Sequence, residues 1–222
     1  MTYRFDFGVL LPYWEQLLYG CLLTLWLGTI STVIGLSIGL LTVLAKRSRF
    51  PILRTAANVY IETIRNTPFL VQVFFIFFGL PTIGIALQPW PAAVVALSLN
   101  LGAFSAEIIR GGIDAIPRGQ FEAGAALGLS PFKTFRYIIL KPALRIIFPA
   151  LSGQFVLLLL TTSIVSSISA EELTSVAQGI DSTTFRSFEV YIVTTLLYLA
   201  MSLLFAFVFK GIGRAFFSYP AK

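Results

Sequence analysis

The chain has 222 residues, 57% of them hydrophobic, with charged residues at only 12% and a formal net charge of +6. A soluble domain of this size typically carries about 25% charged residues, so this composition argues against a water-solvated globule. A single cysteine, Cys21, excludes an internal disulfide or a multi-cysteine metal site, and the absence of histidine removes the commonest ligand and proton shuttle.

The segment Met1 to Glu15 carries Asp6 and Glu15 and lacks a basic stretch followed by a short apolar core, so no cleavable signal peptide is expected. No charge falls between Glu15 and Lys46, between Arg65 and Glu107, between Arg145 and Glu171, or between Glu189 and Lys210. Uncharged apolar runs of about 20 residues cross the hydrocarbon core as helices. The expected spans are Leu17 to Ala45; a second of uncertain start that includes Phe69 to Phe78 and ends near Leu80; Pro91 to Ile109; Ile146 to Ser167; and Val190 to Phe209. The expectation is an all-α membrane protein with about five spans, forming one domain over residues 1–222. Gly35 and Gly39 form a small-xxx-small pair that suits close helix packing. Trp26 and Trp90 are candidate interface anchors, though Trp26 also suits packing within the bundle.

Lysine and arginine alternate by loop. Arg4 alone precedes the first span, and Lys46, Arg47, Arg49 and Arg54 follow it. The Pro81 to Trp90 loop has none, and the next carries Arg110, Arg118, Lys133, Arg136, Lys141 and Arg145. Arg186 stands alone between spans four and five, and Lys210, Arg214 and Lys222 follow the last. The positive-inside rule then places the N-terminus outside and the C-terminus inside. The net positive charge thus reports topology, and no nucleic-acid partner is expected.

The loop of about residues 111–145 is the most informative segment. Pro117 precedes a helical stretch, Gln120 to Leu127, that Gly128 can end, while Ser130-Pro131 can cap and start the next. A second stretch, Pro131 to Leu140, sets Phe132, Phe135, Ile138 and Ile139 against Lys133 and Arg136, so two short helices at an angle are predicted. The face Ala123, Gly124, Ala126 and Leu127 has little bulk. It suits close approach by another protein, or a helix lying on the lipid surface.

Polar groups within the spans leave two readings each. Glu62 and Arg65 share a helix face, as a structural pair or as part of a pathway. On a straight helix starting near Arg54, Arg65 would lie about 16 Å in. Glu107 and Arg110 repeat that spacing. Asn100 suits a substrate carboxylate or a neighbouring helix. Thr161, Thr162 and Ser163 suit back-bonding to helix carbonyls or lining of a path.

Glu122-Ala123-Gly124, then Gly128 and a run to Ile138 and Leu140, resembles the EAA loop of ABC-importer permeases. Glu62-Thr63-Ile64-Arg65-Asn66-Thr67-Pro68, with Gln72 and Phe77-Phe78-Gly79-Leu80-Pro81, resembles the second-span signature of the polar amino acid permeases in that family. Ala96 to Asn100, Ala106 to Ile113, Ile116 to Gln120, Thr162 to Ser166 and Glu172-Leu173 continue the resemblance in order. It implies a type I ABC-importer permease fold in the bacterial cytoplasmic (inner) membrane. It implies a polar amino acid or amino-acid derivative as substrate, and Glu122, Ala123, Gly124 and Gly128 as the contact through which a separate ATPase drives transport. The implied partners are two ATP-binding subunits holding ATP and Mg, a second permease of the same or a paralogous chain, and an external solute-binding protein. This chain itself has no Walker A sequence, and no cofactor is expected in it. Glu171 to Glu189 and the Pro81 to Trp90 loop are the candidate docking surfaces for the binding protein.

Departures from the family pattern are Gly124 where alanine is usual, Lys141-Pro142 where proline directly follows Leu140, and Leu160-Thr161 where many relatives carry lysine-aspartate. The last removes a carboxylate from where a cationic substrate group would be held. A membrane enzyme finds no nucleophile, base and oxyanion set. The alternative is an ion-gradient-driven secondary transporter with Glu62 and Glu107 as proton carriers.

Overall fold

The computed structural model describes residues 3–217, and Lys222 lies outside them. A 3-10 turn, Phe7–Tyr13, leads into α1, Trp14–Lys46. Glu15 stands in the first turn of α1 and Lys46 in the last, each where its charge complements the helix dipole. α2, Pro51–Arg65, opens on a proline, whose missing N–H costs nothing there. α3, Phe69–Phe74, continues through a π-turn, Phe75–Gly79, and a 3-10 turn, Leu80–Ile83. α4, Pro89–Asp114, is followed by α5, Arg118–Ala126, and α6, Pro131–Thr134. A π-turn, Phe135–Ile139, joins α6 to α7, Leu140–Thr161, which runs on into a 3-10 turn, Thr162–Ile168. α8, Leu173–Thr184, and α9, Ser187–Phe217, complete the chain, and no strand occurs among the described residues.

Four stretches are long and apolar enough to cross a bilayer: Phe7–Lys46, Pro89–Asp114, Pro131–Ile168 and Ser187–Phe216. The fifth crossing is the pair Pro51–Arg65 and Phe69–Ile83, bent by 112°. This is a multi-pass, all-helical membrane protein, as its hydropathy predicts. Two expectations change. The second crossing is not straight, because Pro68 cannot donate and forces Thr67 out of the helical region. Arg65 therefore ends α2 at a bend instead of lying 16 Å down a continuous helix, as assumed at about 1.5 Å per residue. The stretch after Ser130 is not a separate short helix either. It is continuous with the fourth crossing, and the π-turn widens it one turn ahead of Pro142, where the proline ring would otherwise crowd a carbonyl.

α4 is the centre of the bundle. In its most apolar window 61% of residues are buried, against 11% in α9, which turns nearly all of its apolar surface outward. A helix that is apolar all round and exposed is one solvated by lipid or by another membrane chain. α1 packs along α4 through Gly35 and Gly39. A Cβ at Gly35 would lie 2.9 Å from Leu101, and one at Gly39 3.0 Å from the Gly102 carbonyl. Ser31, Ser98 and Ser105 are buried and their hydroxyls meet no partner among the described residues, so they serve by being small. Trp26 is 60% exposed and faces away from the bundle, whereas Trp90 packs against the core around Ala93 and Leu97.

Most of the basic residues gather at one end. Lys46 and Arg47 of α1 meet Glu107 and Asp114 of α4. Ile147 of α7 packs over Gly112, which brings the start of the fourth crossing to the same end. At the opposite end the fully buried Glu189 accepts from the Asp6 N–H at 2.9 Å and from the Tyr3 hydroxyl, with Arg186 at 3.5 Å. The bond to the Glu189 carboxylate holds the Tyr3 phenol above its usual pKa.

Replacing Gly39 by leucine pushes against backbone of α4, which cannot rotate away. The expected cost is about 1–3 kcal/mol, read as a lower unfolding temperature in detergent. Gly28→Ala on the same helix, with nothing within 4 Å of the added Cβ, does not lower the unfolding temperature.

Candidate functional site

Two breaks interrupt helices deep in the bundle. At the first, the Gln72 amide donates to the Ile64 carbonyl at 2.7 Å, the Thr67 carbonyl at 3.1 Å and the Thr67 hydroxyl at 2.9 Å. Its oxygen accepts from the Asn100 amide at 3.1 Å. Gln72 thus satisfies the carbonyls that Pro68 frees, and Asn100 orients Gln72 from α4. Asn66 donates to the Glu62 carbonyl at 2.8 Å and its carboxylate at 2.9 Å, so Glu62 closes the end of α2.

The second break follows the hydroxyl run. Thr161 donates to the Leu157 carbonyl at 2.8 Å, Thr162 to Leu159 at 2.7 Å and Ser163 to Leu160 at 2.7 Å. All three hydroxyls are back-bonded to their own helix. Thr162 is fully buried, while Thr161 and Ser163 are half-buried. The chain then turns at Ser169, in the left-handed region at φ 59°, and restarts at α8. The fully buried Glu172 caps that restart: it accepts from the Ser175 N–H at 2.8 Å and from the Tyr198 hydroxyl of α9. Thr24 of α1 accepts the Leu173 N–H at 3.0 Å. Asn100 lies eleven residues into α4 and Tyr198 eleven beyond Ser187 of α9, so both breaks sit about 16 Å along their helices. That is half the ~30 Å hydrocarbon core.

Glu62 and Arg65 do not form the expected pair. Arg65 instead lies 3.8 Å from Glu107 and its guanidinium stands over Phe104 at 5.5 Å. Glu107 also holds Lys46 at 2.9 Å and Arg110 at 2.8 Å, and Asp114 holds Arg110 at 2.9 Å and Arg47 at 2.8 Å. Three crossings are thereby clamped at the basic end by two carboxylates. Of the polar residues singled out in the sequence, the structure joins Arg65 to this clamp and Asn100 to Gln72. Val165, just beyond Ser163, joins the core cluster of Leu97 and Leu101, the near neighbours of Asn100.

α5 stands off the basic end of the bundle. Glu122 and Ala123 are exposed, and Leu127 is 73% exposed. Gly128 ends α5 in the left-handed region at φ 69°, with its N–H on the Ala125 carbonyl at 2.9 Å and the Leu129 N–H on Gly124 at 3.1 Å. This is the Schellman stop that the glycine predicts. Gly124 does not share the outer face expected for it. It is buried against Thr134, and an added Cβ would lie 2.4 Å from that side chain. The departure from alanine therefore lets α5 fold tightly onto its own chain.

The acidic segment Glu171 to Glu189 also changes meaning. Glu172 and Glu189 are wholly buried, so only Glu171 and Asp181 present carboxylates outward. Sequence reasoning missed Gln72, Glu172 and Tyr198 as structural polar groups. A glutamine four residues past a proline break was the available signal for Gln72, whereas nothing local marks the Glu172 and Tyr198 pair.

Five crossings, two internal breaks at mid-depth and a small helix projecting from the basic end define a membrane permease. The chain belongs to the family described as binding-protein-dependent transport system inner membrane component, whose model matches residues 20–218. It is 38% identical over 213 residues to the glutamine transport system permease protein of Escherichia coli K12, covering 95% of this chain and 97% of that one. It is 38% identical to the L-cystine transport system permease protein of Bacillus subtilis 168, over 95% of this chain and 90% of that one. The fold superposes on a crystal structure of an amino acid ABC transporter with histidines at a TM-score of 0.91 and 37% identity, covering 96% of this chain and 100% of that one.

Replacing Gln72 by leucine leaves the Ile64 and Thr67 carbonyls unpaired in an apolar setting and is expected to cost about 1–3 kcal/mol in thermal unfolding. Gly124→Ala destabilises the loop, read as faster amide exchange across α5, and Thr134→Ala, by removing the two nearest atoms, partly restores protection.

Proposed function

We propose that this chain is the membrane-spanning subunit of an ATP-driven importer that moves a polar amino acid or amino-acid derivative into the cytoplasm. The observation that carries this reading is an exposed α5 on a chain matched end to end by amino acid permeases. In this reading residues 1–222 act as one unit in a bacterial inner membrane, with the basic end cytoplasmic and the N-terminus outside. Two ATP-binding subunits hold ATP and Mg, a second permease completes the pathway, and an external binding protein delivers the solute.

Energy enters at Glu122, Ala123 and Gly128. Gly124 has a different part: it sets the shape of the helix from behind. Because α6 is continuous with the fourth crossing, a push on α5 passes through Thr134 and along one unbroken rod to Thr161. The rod ends where the second break begins. The path runs past Asn100, Thr161 and Ser163, with Thr162 packed behind them. Glu62 and Arg65 mark its cytoplasmic side, and the Glu107 clamp closes there. Thr161, a neutral group where many relatives carry a carboxylate, suits a substrate with no cationic side chain.

Purified protein with its ATPase in liposomes tests the reading. The expected result is ATP-dependent uptake of labelled glutamine in the presence of the binding protein. Glu122→Lys weakens ATPase assembly roughly a hundredfold by reversing a charge in the contact. Uptake without ATP, driven by an imposed ion gradient, would return the reading to a secondary transporter.

A further inference from the structure

α2 presents three distinct faces. Ala57 and Ile61 are buried against the bundle, and the Tyr60 hydroxyl beside them donates to the Leu99 carbonyl of α4 at 2.6 Å. Ile52, Ala56 and Val59 form a second face that is apolar and exposed. Arg54, Asn58, Glu62 and Arg65 follow one another at helical spacing on the third, and all of them are exposed. Hydrocarbon solvates the second face but not the third, so in a membrane the charged face turns to a water-filled path.

At the bend that ends α2, this face carries two opposite charges that do not bond each other. Among the described residues the Glu62 carboxylate accepts only from the Asn66 amide, at 2.9 Å and through one oxygen. The Arg65 guanidinium donates no hydrogen bond among them: it stands over Phe104 at 5.5 Å, with Glu107 at 3.8 Å. Glu107 is already filled by Lys46 at 2.9 Å and Arg110 at 2.8 Å. Arg65 is thus a surplus cation, steadied by a ring and left with N–H groups to offer. Gln72 binds the Ile64 carbonyl between the two charges and accepts from Asn100, so Glu62 and Arg65 adjoin the mid-depth break.

We propose that Glu62 and Arg65 bind the zwitterionic head of the transported amino acid as it leaves toward the cytoplasm. Arg65 takes the α-carboxylate through two N–H groups, and Glu62 takes the α-ammonium. The assignment deepens the importer reading and rests on it, since that reading makes the basic end cytoplasmic. Residues three apart on a helix stand about 5–6 Å apart at Cβ, so one small zwitterion can span both tips. An anionic lipid headgroup would suit Arg65 and be repelled by Glu62; a simple cation would meet the reverse. Only a molecule with both charges side by side suits the two together.

The test uses inside-out vesicles holding the full chain and its ATPase, without ATP. Asn58→Cys in a Cys21→Ala background is the reporter, one turn before Glu62. A charged thiol reagent in the bath labels it, and L-glutamine slows the labelling. Val59→Cys, on the apolar face, stays unlabelled. Glutaramic acid, which is glutamine without its α-ammonium, needs about tenfold more for the same protection. Glu62→Gln lowers glutamine to the level of glutaramic acid. Arg65→Gln removes protection by both, and Arg65→Lys restores part of it. Equal protection by the two compounds in the parent, protection that survives Arg65→Gln, or equal labelling at Asn58 and Val59 overturns the proposal. ATP-driven uptake is scored separately in the same preparation. Uptake without protection rejects the site and keeps the importer reading, whereas protection without ATP-driven uptake keeps the site and rejects that reading.

Discussion

Hydrocarbon offers the backbone no hydrogen-bond partner, so a chain that leaves the helix inside a bilayer has to bring its own. This bundle does so twice, at the same depth. Gln72 reaches back to the Ile64 and Thr67 carbonyls left open by Pro68. Glu172 closes the start of α8, with Tyr198 and Thr24 completing the set. Each break is supported by a residue from a different crossing, Asn100 for the first and Tyr198 for the second. The irregular backbone is therefore held from outside its own segment, and the segments cannot move independently of the helices that hold them.

That arrangement separates tightly packed parts from more solvent-accessible ones. The seam of α1 and α4 is tight, with glycines against backbone and small buried serines between. The fourth crossing is a rod running from the projecting loop to the second break. Between them stands the ionic clamp of Glu107 and Asp114, whose members are one-fifth to one-half exposed. Ion pairs of that exposure exchange readily for water and contribute little each. A clamp of this kind suits a contact that forms in one state and opens in another, whereas the α1–α4 seam suits one that never opens.

Much of this was legible along the sequence, because membrane insertion writes itself into local composition. The charge-free runs give the crossings, most lysines and arginines gather at one end, and Gly128 stops α5 as its type demands. Helix-packing glycines at 35 and 39 are likewise visible as a spacing. What composition misses is the partner of a polar group. Glu62 and Arg65 are correctly spaced to pair, yet the bend at Pro68 turns Arg65 toward Glu107 on another crossing. Gly124 reads as one more small residue on an outer face, and only the fold shows Thr134 behind it.

The sequence by itself determined how often the chain crosses, which family its ordered motifs resemble and where its short projecting helix lies. Those properties depend on the hydropathy and backbone preferences of neighbouring residues. The tertiary structure decided which acids are buried and which are offered outward. It placed Glu172 and Glu189 inside and left Glu171 and Asp181 to face out, although all four stand in one acidic stretch. It also brought Arg145 beside Lys210 and Arg214 across a sequence gap of more than sixty residues. The physical reason is common to both: a charge in a membrane protein is settled by what faces it across a helix interface, and that neighbour comes from a distant part of the chain.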